Sequence, residues 1–262
     1  MTTTLALFSE KGGVGKTTLC INLGAALAKA GQRVLIIDAD SQATASELLM
    51  DGQPNREGQD LPAVLLGECD AADAIHAATE SFGLSLIPAG AGLADAQVEL
   101  TNLPGRDMQL RYAVNAVRDQ FDWILLDCPP GRGILSVTAL AAADLIMLPM
   151  DPSRGGLFGV QRGIELANKV RRFCADSARP GAPAILGVVL NRIQRNKTHA
   201  ECAENLQTNY GSLYLGSIPA AVAVDTAGWN AAAVINSDPT SPPAKAILEL
   251  AKRVKSHAKS AA

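Results

Sequence analysis

A glycine-rich turn wedged between two apolar segments constrains this chain most. Lys11-Gly12-Gly13-Val14-Gly15-Lys16-Thr17-Thr18 follows the apolar run Leu5-Ala-Leu-Phe8 and precedes a helical stretch. Over residues 16–30, Leu19, Leu23, Ala26, Leu27 and Ala30 recur at spacings of 3 and 4, the pattern of one buried helix face. Gly31 is a natural stop for that helix. The next run, Val34-Leu-Ile-Ile37, ends in Asp38. Further strand-like runs lie at 84–88, 123–127, 145–149, 185–191 and 213–218, with helical segments between most of them. Runs that are apolar throughout belong to strands covered on both faces. Their alternation with helices predicts an α/β fold: a mostly parallel twisted sheet with helices on both faces and right-handed crossovers.

The 262 residues make one large domain or two small ones at roughly 150 residues per domain. The turn-rich stretches 51–62, 176–184 and 236–243 read as surface connections, not as a linker, so a single domain over 1–262 is expected. With 48% hydrophobic and 19% charged residues, the composition excludes a disordered chain. No apolar run of about 18 residues offers a transmembrane helix. Met1-Thr-Thr-Thr leads straight into the first strand without the basic region of a signal peptide, so the cytoplasm is the expected location. The five cysteines are scattered and the three histidines lie far apart, which fits reduced thiols and disfavours zinc.

The net charge of −3 conceals a gradient. Residues 1–150 hold 9 Lys/Arg against 18 Asp/Glu, a net of −9, whereas residues 151–262 hold 14 against 8, a net of +6. Such asymmetry points to a polyanionic partner or, more blandly, to uneven surface charge.

The turn has the chemistry of a phosphate cradle. Glycines let the backbone curl until several N–H groups face one anion, and the helix N-terminus adds its dipole. Lys16 would reach the outer phosphates and the Thr17 hydroxyl would ligate magnesium. The ordinary pattern G-x-x-x-x-G-K-[ST] needs glycine at position 10, but Glu10 stands there with a second lysine, Lys11, beside it.

This stretch, residues 10–18, resembles the variant Walker A box, K-G-G-x-x-K-[ST], of the ParA/MinD family of P-loop ATPases. The resemblance implies an ATP-hydrolysing enzyme using ATP and Mg2+, with Lys11, Gly12, Gly13, Val14, Gly15, Lys16, Thr17 and Thr18 around the phosphates. It implies that Lys11 crosses a homodimer interface to the partner's nucleotide. Such a cation offsets phosphoryl charge as an arginine finger does.

Four further blocks extend the resemblance. Residues 36–42, Ile-Ile-Asp38-Ala-Asp40-Ser-Gln42, look like the second acidic box, implying Asp38 near magnesium and Asp40 as the residue that places the attacking water. Read from the residues alone, both aspartates could instead cap the following helix. Residues 123–130, ending Asp127-Cys-Pro-Pro130, look like the Walker B strand, with Asp127 on magnesium. Gly131-Arg132-Gly133 is then either a nucleotide-sensitive switch or a plain turn. Ile185–Asn191 looks like the strand that ends at the base, implying Asn191 on the base edge. Ser217-Ile218-Pro219 resembles the second base loop. The resemblance spans about residues 3–256.

The cargo is read less directly. Arg192, Arg195 and Lys197, with Lys252, Arg253 and Lys255 on the last helix, are candidates for non-specific DNA contacts. The stretch after Pro219 is Ala220-Ala-Val-Ala-Val224, where small chromosomal members often carry arginines. The last helix, 244–257, places Ile247, Leu248, Ala251 and Val254 on one side without an aromatic anchor, so membrane binding is not expected. No room precedes the phosphate loop for a helix-turn-helix, so operator binding is not expected either. The resemblance thus implies a nucleoid-associated ATPase that segregates a plasmid or chromosome, stimulated by a cargo-bound adaptor. The alternatives are positioning of a carboxysome or chemotaxis cluster, a membrane-cycling MinD type, and an iron–sulfur reductase for which only Cys128 is suitably placed.

Overall fold

The computed structural model describes residues 2–53, 56–176 and 182–261. Its strands are β1 (Thr3–Leu7), β2 (Val34–Asp38), β3 (His76–Ala77), β4 (Ser85–Ile87), β5 (Trp123–Asp127), β6 (Leu145–Met150), β7 (Ala184–Ile193) and β8 (Tyr214–Pro219). The helices are α1 (Lys16–Lys29), α2 (Thr44–Met50), α3 (Leu61–Leu66), α4 (Leu93–Asn102), α5 (Gln109–Val117) and α6 (Ile134–Ala142). They continue with α7 (Arg154–Asp176), α8 (Lys197–Tyr210), α9 (Val222–Trp229), α10 (Val234–Ser237) and α11 (Pro242–Ala261).

The described strands form one sheet in the order β3-β4-β2-β5-β1-β6-β7-β8. Every pairing is parallel except β3 with β4. Each expected strand is present, with ends moved by up to two residues. The strand β3 has no counterpart among them, because two residues are too short to carry a periodicity.

Apolar residues on both faces explain the unbroken runs. Leu35, Ile37, Ile124 and Leu126 face one core, beneath Leu110, Val114, Leu140 and Val170. Their neighbours Val34, Ile36, Trp123 and Leu125 face the other, beneath Leu19, Leu23, Leu27 and Val254. Each fully buried aliphatic side chain contributes about 1.5–3 kcal/mol, so the two cores together clamp the central strands.

Within the stretch expected as the 51–62 connection, Asp60 caps α3 by accepting from the Ala63 N–H at 3.2 Å. The last helix begins at Pro242, two residues earlier than expected, and runs to Ala261. Residues 177–181 of the expected 176–184 connection lie outside the described residues.

Candidate nucleotide site

The loops after β1, β2 and β5 open on the carboxyl edge of the sheet, where open α/β sheets bind ligands. Strand register brings their functional groups together: Asp127 stands opposite Leu7 on one side and opposite Asp38 on the other. The chain leaves β1 toward β2, yet returns from β5 to β6 on the far side of β1, so the loop after β1 sits at a topological switch.

That loop is built to hold an anion. Gly13 and Gly15 adopt φ of 76° and 81°, a region that residues with a Cβ enter at a cost. Gly15 caps α1 with no side chain, and the first turn of α1 carries no acidic residue. The helix dipole and its leading N–H groups are therefore left for a ligand. Lys16 is 6% exposed and faces the same space.

Asp127 is the counterpart charge. Both of its carboxylate oxygens are buried without a hydrogen-bond partner. Burial and then the neighbouring Asp38 push its pKa up to about 8, offset in part by the Thr17 hydroxyl and Lys16. A buried polar group without a partner is costly, which fits a place for a cation and its waters. The chemistry of Thr17 and Asp127, a hydroxyl beside a buried carboxylate, is of the kind a magnesium ion takes.

Asp38 behaves differently. One of its oxygens accepts from the Ser46 N–H at 2.8 Å and the Ser46 hydroxyl at 2.7 Å; the other accepts from the Asp40 N–H at 3.1 Å. Burial raises its pKa, and the Ser46 bonds oppose the rise. Asp38 therefore orders the acidic box and the first turn of α2, the capping alternative left open by the residues alone. Asp40 is half-buried, and its carboxylate accepts from the Gln42 N–H at 3.0 Å.

Lys11 points away from its own phosphate loop. Its ammonium pairs with Asp151 at 2.6 Å and donates to the Ser153 hydroxyl at 3.2 Å. Glu10, the departure from the ordinary pattern, pairs with Arg132 at 2.8 Å and approaches Arg162 at 3.9 Å. The Gly131 N–H also donates to the Glu10 carbonyl at 3.2 Å. The candidate switch after Asp127 is thereby tied to the loop's first residue. Sequence reasoning singled out Glu10 as a charge where glycine is normally needed but missed its partner Arg132, and it missed Asp151 and Ser153 beside Lys11.

Asn191 and Arg192 also reach the phosphate loop. The Asn191 amide nitrogen donates to the Val14 carbonyl at 2.9 Å and the Gly15 carbonyl at 3.4 Å. Its oxygen accepts from the Arg192 N–H at 3.0 Å, so the amide also makes bonds within the protein. Arg192, expected on a DNA surface, donates to the Gly13 carbonyl at 3.1 Å. Both line a pocket of about 200 Å³ with Thr18, Ile218, Pro219 and Val224. Pro219 thus lies beside the loop, lining the same pocket as Gly15.

The remaining basic candidates are spread out. Arg195 and Lys197 are exposed around the start of α8, and Lys197 lies 3.7 Å from Glu201. On α11, Lys252 pairs with Glu249 at 2.5 Å, and Arg253 donates to the Leu215 carbonyl at 3.0 Å. Lys255 is half-buried. Arg253 therefore serves β8 as well as any partner.

Comparison with known proteins agrees with this geometry. The AAA domain family matches residues 2–177. The chromosome partitioning protein ParA of Caulobacter vibrioides is 37% identical over 254 residues, covering 95% of this chain and 92% of that protein. The sporulation initiation inhibitor protein Soj of Bacillus subtilis is 33% identical, covering 95% and 97%. An ATP-bound McdA variant of Cyanothece superposes with a TM-score of 0.84 over 97% of this chain and 96% of that one, at 24% identity, a likeness of fold. On the strength of the two long sequence matches, the chain belongs to the ParA/MinD family of P-loop ATPases, the family of partition and positioning ATPases.

Proposed function

We propose that this chain is an ATP-driven dimer that binds DNA without sequence preference and segregates a plasmid or chromosome. The observation that carries the reading is the second loop lysine. Lys11 is held by Asp151 and Ser153 of its own chain, so its charge is spare at its own phosphate site. A charge held beside the loop suits use in trans on a partner's nucleotide.

In this reading the loop N–H groups and Lys16 bind the phosphates, and Pro219 and Ile218 wall the base. Thr17 and Asp127 hold magnesium, which would neutralise charge on the phosphate oxygens. Asp40 orients the water that attacks the outer phosphate, giving ADP and phosphate. Positioning and charge stabilisation suffice for such transfer, since the phosphoryl group needs little covalent help. Lys11 of a partner subunit completes the site, so ATP joins two chains and hydrolysis separates them. An adaptor on the cargo would speed that step. Light scattering with ATP and magnesium should show a dimer for the wild-type chain and a monomer for Lys11→Ala; dimers of equal yield from both would refute the trans role.

The membrane-cycling alternative is opposed by α11. Ile247, Leu250, Ala251 and Val254 are buried against the rest of the molecule. Its apolar face is therefore already used. Positioning of a protein compartment shares every residue argued above and differs only in the adaptor.

A further inference from the structure

We propose that Asn191 and Arg192 form a carbonyl clamp that aims the phosphate loop, so that Arg192 is a positioning residue of the nucleotide site and not part of a DNA surface. The clamp grips three successive carbonyls: Arg192 holds that of Gly13, and Asn191 holds those of Val14 and Gly15. In a planar trans peptide the C=O and N–H point in opposite directions. Fixing carbonyls 13, 14 and 15 outward therefore fixes the N–H groups of Val14, Gly15 and Lys16 toward the opposite side, where a phosphate would sit. A row of N–H groups converging on one point is an anion nest, and its strength depends on holding that convergence before the anion arrives.

The local structure of β7 is specialised for this grip. Its pairing with β8 shifts register between Leu190 and Ile193, which re-aims the two residues between them. Arg192 adopts φ of 60°, a left-handed conformation uncommon for a residue with a long side chain. Asn191 is 6% exposed and stabilises that turn by accepting from the Arg192 N–H. Its amide nitrogen also lies 2.5 Å from where a Gly15 Cβ would be, so a glycine at 15 is needed for the clamp to close. Strained backbone and a glycine fitted to one amide both converge on the loop, and Arg192, though exposed, spends its guanidinium on a loop carbonyl.

The inference rests on the nucleotide reading of the loop but not on dimerisation or DNA. The test uses the full chain and displacement of a fluorescent ADP by ADP, pyrophosphate and adenosine. Arg192→Asn removes the guanidinium while tolerating the left-handed backbone, and Arg192→Lys keeps one donor. Losing a bond that orients charge-binding groups should weaken ADP and pyrophosphate about ten-fold in Arg192→Asn, with adenosine unchanged and Arg192→Lys intermediate. Equal loss for adenosine would mean a general defect, and unchanged ADP affinity would mean an idle clamp; either overturns the proposal. Unchanged ADP affinity with weakened DNA retardation would return Arg192 to a DNA surface. A wild-type chain that binds no ADP would instead overturn the nucleotide reading itself.

Discussion

Asp127 is where folding and chemistry oppose each other most directly. Its buried, unpartnered carboxylate and a pKa of about 8 mean that the ligand-free fold favours the protonated form. The unfolded value is near 3.8, so this contribution is fully present below that pH and is lost as pH rises through 8. Asp38 is shifted the same way. The ligand-free protein should therefore melt at falling temperature between about pH 5 and 8, and Asp127→Asn should flatten that slope and raise the melting temperature at pH 8. A steeper slope in the variant would contradict the assignment. The same variant should lose magnesium-dependent hydrolysis. Asp40→Ala should leave ATP-bound dimers that turn over at least ten-fold more slowly, by loss of a water-orienting group worth about 10²-fold or more; hydrolysis at the wild-type rate would remove Asp40 from the mechanism. At this scale the loop itself was legible from Gly-Gly-x-Gly-Lys-Thr. The partners of Glu10 and Lys11 were not, because Asp151 and Arg132 lie more than a hundred residues away and only the folded sheet brings them near.

Among elements, α7 and the segment after β5 form a single mechanical unit with the start of the phosphate loop. Glu10, Arg132, Arg162 and Glu165 join them in a chain of ion pairs of 2.8–3.9 Å. These side chains are partly exposed, so the stabilisation is modest: Glu10→Gln should cost about 0.5–1 kcal/mol by denaturant titration. Its larger effect should be faster hydrogen exchange at the amides of 131–136, and unchanged exchange there would separate the loop from the candidate switch. The helix α11 shows the opposite balance. Its apolar stripe was legible by period, and Val254 is fully buried. Val254→Asp should cost about 3 kcal/mol or more, whereas liposome flotation of the wild type with ATP should leave the protein in the lower fractions. Asn191 and Arg192, whose contacts with the phosphate loop were not legible, lie at a register shift in β7. A shift of that kind reverses where side chains point, and nothing in the run of residue types reports it.

Across the whole molecule, strands β1 to β5 occupy one side of the sheet and β7 and β8 the other, while the basic helices of the second half pack back on the first, α11 on α1 and α7 on α6, so the charge gradient along the chain is folded together in space. The fold class followed from continuous apolar runs, because strands covered on both faces leave no other pattern. The direction of the gradient followed from counting. Which basic residues remain free for a partner did not, since Arg192 and Arg253 bind backbone carbonyls and Lys252 pairs with Glu249. Among the described residues, no helix is long and apolar enough to cross a membrane. The most direct measurement is retardation of an arbitrary DNA duplex by the wild-type chain and by Lys11→Ala, with ATP or ADP, across a salt series. The account predicts retardation only for the wild-type chain with ATP, weakening steeply as salt rises. Equal retardation with ADP or without nucleotide, or by Lys11→Ala, would contradict it.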